Sequence, residues 1–550
     1  KLARHSISTM DLKDENSFNP SQQYSLNYQN TFGKHDIGAL VLWEMKNYRK
    51  DWVSAYRQFY IGALDQMDAG DNVNKNNGGN AAVSAHEGLV GRVNYAYDSK
   101  YLAEFSFRYD GSYKFAEGSR WGFFPAASIG WRMSEEPFFK ENISFVDNLK
   151  IRASYGEVGD DNVSNYSPYD FLPGYTYNNG GAVIDGEWVV GSATRGLPNE
   201  TLSWLTAKIL DIGIDLGFLN NRLNAQVDFF QRKREGLPAQ RYDVLIPVEA
   251  GFSLPQENLN SDMHRGFDAS ISWSDNINDF HYSIGANMTY SRFWDWEQYK
   301  PRFSNSWHEY RNSIWHRVGY VNWGYEAIGR FESWEQIANY PIDNDRKGNR
   351  TVVPGDIMYK DQNGDGVING YDERPIGYRV DSTPTLNYGI NLSASWKGFD
   401  LAMDWTGSGM TSWWQRYETA RPFQNDGNNP SEVLTDAWHL SDPFDPDSEL
   451  IPGKYPMLRL PSDETSAYDS STYWLHNVRY IKLRNLEFGY TLPKSWLTHT
   501  GITNVRVYLS GTNLLTISNI KSLMDPECAS DNGLDYPPMR VINLGVNLKF

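Results

Sequence analysis

The stretch Leu210-Asp-Ile-Gly-Ile-Asp-Leu-Gly-Phe218, then Leu-Asn-Asn-Arg222, then Leu223-Asn-Ala-Gln-Val-Asp-Phe229 decides the fold. Ile212, Ile214, Leu216 and Phe218 fall on one side of a period of two, with Asp211, Gly213, Asp215 and Gly217 on the other. After the tight break Leu219–Asn221, Leu223, Ala225, Val227 and Phe229 oppose Asn224, Gln226 and Asp228. Successive strand side chains point to opposite faces, so each segment reads as a strand with one apolar and one wet face. The pattern extends both ways. Tyr101, Ala103, Phe105, Phe107 and Tyr109 oppose Leu102, Glu104, Ser106 and Arg108, and Leu149, Ile151, Ala153 and Tyr155 oppose Lys150, Arg152 and Ser154. Leu386, Tyr388, Ile390, Leu392, Ala394 and Trp396 repeat it, as do Ile542, Leu544, Val546, Leu548 and Phe550 at the end.

A soluble β-sandwich also alternates, so length and connection decide between the two. Many runs last about 9–12 residues, which a tilted strand needs to cross a bilayer; soluble strands are nearer 5–6. Short connections at Gly33, Asp98–Lys100, Leu219–Asn221, Asp275–Asn278 and Lys397–Gly398 alternate with long ones at residues 48–87, 158–207, 233–265, 291–383, 407–475 and 513–539. Tight turns at one rim and long loops at the other are the outer-membrane arrangement. The expected fold is therefore all-β, a transmembrane antiparallel β-barrel of about 15–16 strands with extracellular long loops. An odd count near fifteen means either that Leu2–Thr9 ends one more strand or that earlier strands lie outside residues 1–550; the second is preferred, because single-chain bacterial barrels use even numbers.

Composition agrees. Of 550 residues 40% are hydrophobic and 15% aromatic, with Trp 20, Tyr 35 and Phe 26, yet mean hydropathy is −0.60. Alternation explains how a chain with no apolar run long enough for a membrane helix still carries so much aromatic surface. A net charge of −17 argues against nucleic acid, which needs a basic face. The single cysteine, Cys528, excludes a disulfide framework and multi-cysteine metal sites. No signal peptide is read at Lys1.

Several segments carry a family resemblance: Arg108-Tyr-Asp-Gly-Ser-Tyr-Lys-Phe115, Arg120-Trp-Gly-Phe-Phe-Pro125 through Gly130-Trp-Arg132, Asp215-Leu-Gly-Phe-Leu-Asn-Asn-Arg-Leu223, Gly355-Asp-Ile-Met-Tyr-Lys-Asp-Gln-Asn-Gly-Asp-Gly-Val-Ile368, Leu486-Glu-Phe-Gly-Tyr-Thr-Leu-Pro493, and Val505-Arg-Val-Tyr-Leu-Ser-Gly-Thr-Asn-Leu514 with Asp525-Pro-Glu527. Together they resemble the SusC/RagA-like TonB-dependent transporters of the Bacteroidetes outer membrane. The resemblance implies the C-terminal barrel portion of a plugged 22-stranded transporter, the plug and TonB-contacting segment not being visible in these residues. It implies active, TonB-driven import of a large nutrient, an oligosaccharide first and an oligopeptide second, beneath a SusD-like surface lipoprotein lid, and leaves room for a dimer of transporter–lipoprotein pairs. No substrate bond is made or broken. A passive porin or adhesin, and a secreted carbohydrate-binding β protein, are the alternatives.

Asp361-Gln-Asn-Gly-Asp-Gly-Val-Ile-Asn-Gly-Tyr-Asp372 fits the EF-hand loop pattern, with Gly366 at the sharp turn. Asp361, Asn363 and Asp365 would offer side-chain oxygens, Val367 its carbonyl, Asn369 a ligand or water bridge, and Asp372 a shorter arm than the usual Glu. A structural calcium is the expectation, Ile368 packing inward; an ion-free Asn-Gly/Asp-Gly turn is the alternative. The terminal Phe550 resembles the assembly signal of outer-membrane barrels. Most tryptophans are expected at the membrane rims. Trp413, Trp414 and Arg416 in one long loop, and Trp307 and Trp315 in another, are candidate ligand contacts, since sugar rings stack on aromatic faces. Catalytic patterns are weak: His308-Glu309 lacks the second His of a zinc helix, and Gly407-Ser-Gly409 does not join a strand to a helix.

Overall fold

Hydrogen-bond ladders run from one end of the chain to the other. The computed structural model describes residues 8–59, 66–162, 168–380, 383–424, 431–459, 465–498, 501–528 and 530–550. One antiparallel sheet joins 17 segments. Ser8–Phe18 and Ser21–Phe32 both pair with the same neighbour, His35–Phe59, and are two halves of one strand broken at Asn19-Pro20. Pro has no N–H for the ladder, which accounts for the break. Arg317–Val318 is a two-residue spur. Fifteen wall strands remain, as the alternation predicts. Ser8 and Thr9 belong to the first of them; the rest of the Leu2–Thr9 expectation lies outside the described residues.

Each wall strand pairs with the next in sequence: Asn76–Tyr97, Tyr101–Ser112, Trp121–Arg132, Val146–Asp160, Leu205–Phe218, Leu223–Ala239, Glu257–Ile277, Phe280–Glu297, Leu386–Trp396, Phe399–Trp414, Leu475–Thr491, Asn504–Ser518 and Val541–Lys549. Among the described residues the first strand pairs only with the second and Val541–Lys549 only with Asn504–Ser518, so the sheet has two open edges.

The register aligns the faces across strands. Ile129, Ala153, Ile212, Phe229, Phe267, Tyr290 and Leu386 form one lateral row. One residue along, Gly130, Arg152, Gly213, Asp228, Asp268, Thr289 and Asn387 form the opposite-facing row. A one-residue slip would exchange the faces, so this alignment fixes the register. Ion pairs crowd the polar face: Arg152 reaches Asp228 at 2.5 Å, Asp215 at 3.3 Å and Asp211 at 3.5 Å, and Glu44, Arg108 and Asp110 form a second cluster. The apolar face is exposed along its length, at Val93, Phe105, Ile129, Ile212, Phe229, Ile284, Leu509 and Leu544. Such a surface is stable only against lipid. At the tight-turn rim, Tyr97 and Tyr101 stack, Trp273 Nε1 donates to Tyr282 at 3.1 Å, and Phe399 meets Tyr490 and Phe488, an aromatic tier of the kind expected at a membrane interface.

Strands run further into the long connections than alternation suggests. The connections shrink to residues 60–75, 161–204, 240–256, 298–385, 415–474 and 519–540. In Asn47–Phe59 and Asn76–Ser84 both faces carry polar residues, because pairing continues where neither face meets lipid. Trp413 and Trp414, expected in a loop, end the strand Phe399–Trp414 for the same reason.

Candidate functional site

The dry core of this chain sits above the wall, in its loops. Tyr325, Ile357, Tyr359, Ile368 and Ile376 from residues 298–385 pack with Ala420, Val433, Ala437, Tyr455 and Trp474 from residues 415–474 and with Trp414 and Leu475 at the flanking strand ends. Phe331, Ile337 and Val352 form a second cluster beside it. Polar links bind the two loops into one cap. Tyr325 N–H donates to Ser470 O at 2.8 Å and Thr472 N–H to Tyr325 O at 3.0 Å, Tyr359 O–H donates to Ser466 O at 2.7 Å, and Arg459 reaches the fully buried Asp356 at 2.6 Å. Burial raises the Asp356 carboxyl above its ordinary value even against Arg459.

Within the cap, Asp345 accepts N–H from Lys347 and Asn349 at 2.8 Å and from Thr351 at 2.7 Å, plus the Thr351 hydroxyl at 2.8 Å. Burial alone would raise it, but these donors outweigh burial and bring it down to about 2. The Asp361–Asp372 turn docks on the same segment: Asp343 N–H donates to Gly366 O at 2.8 Å, Ile368 N–H donates to Asp343 O at 2.9 Å, and Ile368 is fully buried, as expected. Asp361 accepts N–H from Gly364 at 2.6 Å and Gly366 at 2.8 Å. Asp372 accepts Gln362 N–H on one oxygen and Asn369 N–H on the other, both at 2.8 Å, and is buried. Asp372 is thus a staple across the turn, while Asn363 and Asn369 donate to Asp365 at 2.9 and 3.4 Å and Asn369 donates to the Val367 carbonyl at 3.1 Å. Among the described residues no three His, Cys, Asp or Glu side chains converge as for a metal ion.

Below the cap, a cleft of about 590 Å³ opens against the wall. His264, Ser291 and Phe293 project from the polar face of two wall strands; Tyr310, Trp315, His316, Arg317, Tyr320 and Asn322 come from one loop segment, and Tyr378, Arg379 and Thr385 from the cap's base. Arg379 lies 3.5 Å over the Tyr320 ring, Tyr320 packs on Phe293 at 5.0 Å, and His316 stacks between Trp296 at 4.3 Å and Trp315 at 4.8 Å. Ser412 pins this rim, its hydroxyl accepting Tyr378 N–H at 2.9 Å and its N–H donating to Arg379 O at 3.0 Å.

Of the candidate ligand residues, Trp315 is on the cleft and 54% exposed. Trp307 lies behind it, half-buried against Tyr310, Tyr371 and Arg374. Trp413 and Trp414 are 3% and 5% exposed, and their faces are covered by protein. Trp413 packs on Val478 and Ile520 and donates to Ser530 O at 3.0 Å; Trp414 carries Arg416 at 3.9 Å, whose second bond is to Ser470. These three hold the cap down and are not drawn to the cleft. Tyr310, Tyr320, Tyr378, Arg379 and His264 were not singled out from sequence; His264 falls in the stretch 233–265 expected as a long connection, whereas the structure puts it in the strand Glu257–Ile277. Phe550 lies just beyond the last strand, exposed.

The TonB dependent receptor-like, beta-barrel family matches residues 4–514. TonB-dependent receptor P3 of Formosa agariphila is 29% identical over 97% of the chain and 52% of its own length. TonB-dependent receptor SusC of Bacteroides thetaiotaomicron is 28% identical over 84% and 43%. The structure of the RagAB peptide transporter superposes with a TM-score of 0.76 at 23% identity, covering 98% of this chain and 56% of that one, which establishes the shared fold. The chain spans about half the length of the curated relatives it matches. A polar-faced wall, an apolar outer surface and this match together place the chain in the TonB-dependent receptor β-barrel family.

Proposed function

We propose that this chain is the C-terminal wall and cap of a TonB-dependent importer in the bacterial outer membrane that takes up an oligosaccharide beneath a SusD-like surface lipoprotein. The observation that carries the reading is the cap: two long loops share one buried core and leave an aromatic cleft, including the exposed Trp315 and Tyr320, open beside a polar lumen. Flat rings offered to water suit pyranose stacking. The two open sheet edges need partner strands, since unpaired backbone groups do not persist in lipid. A plug and TonB contact would come from further sequence, and the long loops would face outward to meet the lipoprotein. An oligopeptide is the second reading, motivated by the RagAB peptide transporter. The substrate passes through chemically unchanged.

Two further assignments belong to the same reading. Calcium would be held in the Asp361–Asp372 turn by Asp361, Asn363, Asp365, the Val367 carbonyl and Asn369, in place of the bonds Asn363 and Asn369 make to Asp365, while Asp372 staples the turn. Phe550 would be read by the assembly machinery. Import is tested by uptake of a labelled oligosaccharide into cells carrying the full-length gene. Uptake that stops on adding a protonophore or deleting tonB supports the importer; uptake that survives both identifies a passive porin and rejects it.

A further inference from the structure

The lipid side of the wall sets two cations directly opposite each other. Arg265 on Glu257–Ile277 is paired in the ladder with Arg292 on Phe280–Glu297. Two residues along from the apolar-row pair Phe267↔Tyr290, both side chains fall on the outer face, and both are exposed. The two guanidiniums share one ring, Arg265 at 4.4 Å and Arg292 at 5.6 Å from the centre of Trp294. Among the described residues neither makes an ion pair or a side-chain hydrogen bond. The carboxylates further up the same face are taken: Glu235 meets Lys208 at 2.6 Å and Lys233 at 2.9 Å, and Glu297 meets Lys233 at 3.6 Å. Like charges directly opposite each other weaken a strand pair unless an anion is shared between them.

Height on the wall says what that anion is. Arg292 stands twelve residues beyond Phe280 at the tight-turn rim. At about 3.3 Å per residue and a tilt of roughly 40°, that is ~30 Å up the wall, past an apolar band about 25 Å tall. The pair is therefore level with the head groups of the leaflet on the long-loop side. Beneath Arg265 a groove of about 430 Å³ runs down the outer face between Leu210, Ile212, Phe229, Phe267 and Tyr290. Phe267 packs on Phe229 at 6.2 Å and stacks on Tyr290 at 5.8 Å, which gives the groove a continuous aromatic floor. Charge at the head and apolar surface below is the order found in a lipid.

We propose that Arg265 and Arg292 form a binding site for a phosphate-bearing lipid of the outer leaflet, the phosphate bridging the two guanidiniums and an acyl chain lying in the groove beneath. A planar guanidinium presents a fork of N–H donors that matches two phosphate oxygens, and the shared anion removes the repulsion between the arginines. Basic pockets at head-group level are how membrane proteins select anionic lipids. A soluble anion would meet the same charges and leave the groove empty. The inference rests on the outer-membrane placement of the wall and is independent of the cargo.

The full-length transporter in detergent is titrated with monophosphoryl lipid A and with the same lipid stripped of its phosphate, bound lipid being counted by native mass spectrometry. The phosphorylated lipid binds at least about tenfold more tightly, as one charge-assisted contact allows. Arg265→Gln with Arg292→Gln removes the difference and leaves the dephosphorylated lipid's affinity unchanged. Arg265→Lys with Arg292→Lys keeps part of it, since a point charge lacks the fork. Arg49→Gln, which deletes an exposed wall cation already held by Asp51 at 2.7 Å, changes nothing. Phe229→Ala weakens both lipids. A heat-modifiable band like that of wild type establishes that each variant is folded. Equal affinities in wild type, a preference intact in the double glutamine variant, or inorganic phosphate bound as tightly as the lipid overturns the proposal. Uptake keeps the two readings apart. TonB-dependent uptake by a transporter with no phosphate preference keeps import and rejects the lipid site. A phosphate preference in a protein whose uptake survives deletion of tonB keeps the lipid site and rejects import.

Discussion

Lys482→Met tests how the last long loop is tied to the wall. Lys482 is almost fully buried, and its ammonium meets Asp525 at 2.6 and 2.8 Å and Glu527 at 3.0 Å, with Arg484 also on Glu527. A methionine keeps the volume but leaves Asp525 partly buried beside no cation. Breaking a buried pair from one side costs about 3–5 kcal/mol; Arg484 still neutralises Glu527, so the lower end applies. About 3 kcal/mol corresponds to roughly a hundredfold change in an opening equilibrium. Hydrogen exchange of amides in residues 519–540 should therefore quicken roughly a hundredfold, with wall amides unchanged. Adding Asp525→Asn removes the stranded charge and should recover much of the protection. Burial raises Glu527, but Arg484 and Lys482 outweigh it and hold its carboxyl below the ordinary glutamate value. A depressed acid stabilises above its unfolded value, so this contribution is full at neutral pH and fades as pH falls through the lowered folded value. Protection within threefold of wild type in Lys482→Met would show that the ion cluster does not hold the loop.

Trp474→Ala empties the centre of the cap core and should cost about 3–5 kcal/mol, read as faster exchange across residues 319–380 and 431–475 with the wall's heat-modifiable band intact. Asp345→Ala takes away the acceptor of the Asn349 and Thr351 N–H groups, Lys347 N–H keeping Asp343 at 3.1 Å, and should loosen residues 343–352 by about 2 kcal/mol; in the native chain, with Asp345 at about 2, this segment should stay protected at pH 4 and lose protection only as pH falls toward that value. Ala153→Arg, in the apolar row, should cost about 2–4 kcal/mol and deplete folded barrel from outer-membrane fractions, while Ser154→Arg, one residue along on the polar face, should leave it near wild type. Calcium should raise the cap's thermal midpoint, and Asp361→Ala with Asp365→Ala should abolish the shift; an equal shift in that variant rejects the ion site.

The wall was legible because lipid and water impose a period of two on the same strand. The pairing Ile212↔Phe229, read as two independent apolar faces, closes into one row in the structure. The signal fails where that contrast ends. Asn47–Phe59 has polar residues on both faces yet stays in the ladder, and Ser408–Trp414 is mostly buried on both. Aromatic loop residues misled for a related reason. Composition marks Trp413 and Trp414 as sticky but cannot say whether a ligand or protein covers them: Trp413 is covered by Val478 and Ile520, 65 and 107 residues away, and Trp414 by Arg416, two residues on. The cleft was hidden because its geometry depends on the positive φ of His316 and Tyr320, which neither residue type announces.

Three environments in this chain are stabilised by different forces, and one segment touches two of them. Lipid contact stabilises the outer face, ion pairs the polar face, and apolar burial the cap. Residues 519–540 bond to the polar face through Asp525 and Glu527 and to the cap's base through Ser530 and Asp531, whose carbonyls accept from Trp413 Nε1 at 3.0 Å and Thr419 Oγ1 at 2.9 Å. The wall cannot move without unpairing backbone groups in lipid, and the cap cannot deform without opening its core. Relative motion of cap and wall must then be absorbed at their junction, and the ionic end of this strap, unlike its apolar contacts through Ile520, weakens as acid protonates Glu527. Cap docking should thus loosen as pH falls through the lowered Glu527 value, while the almost fully buried Lys482 keeps it little affected by ionic strength.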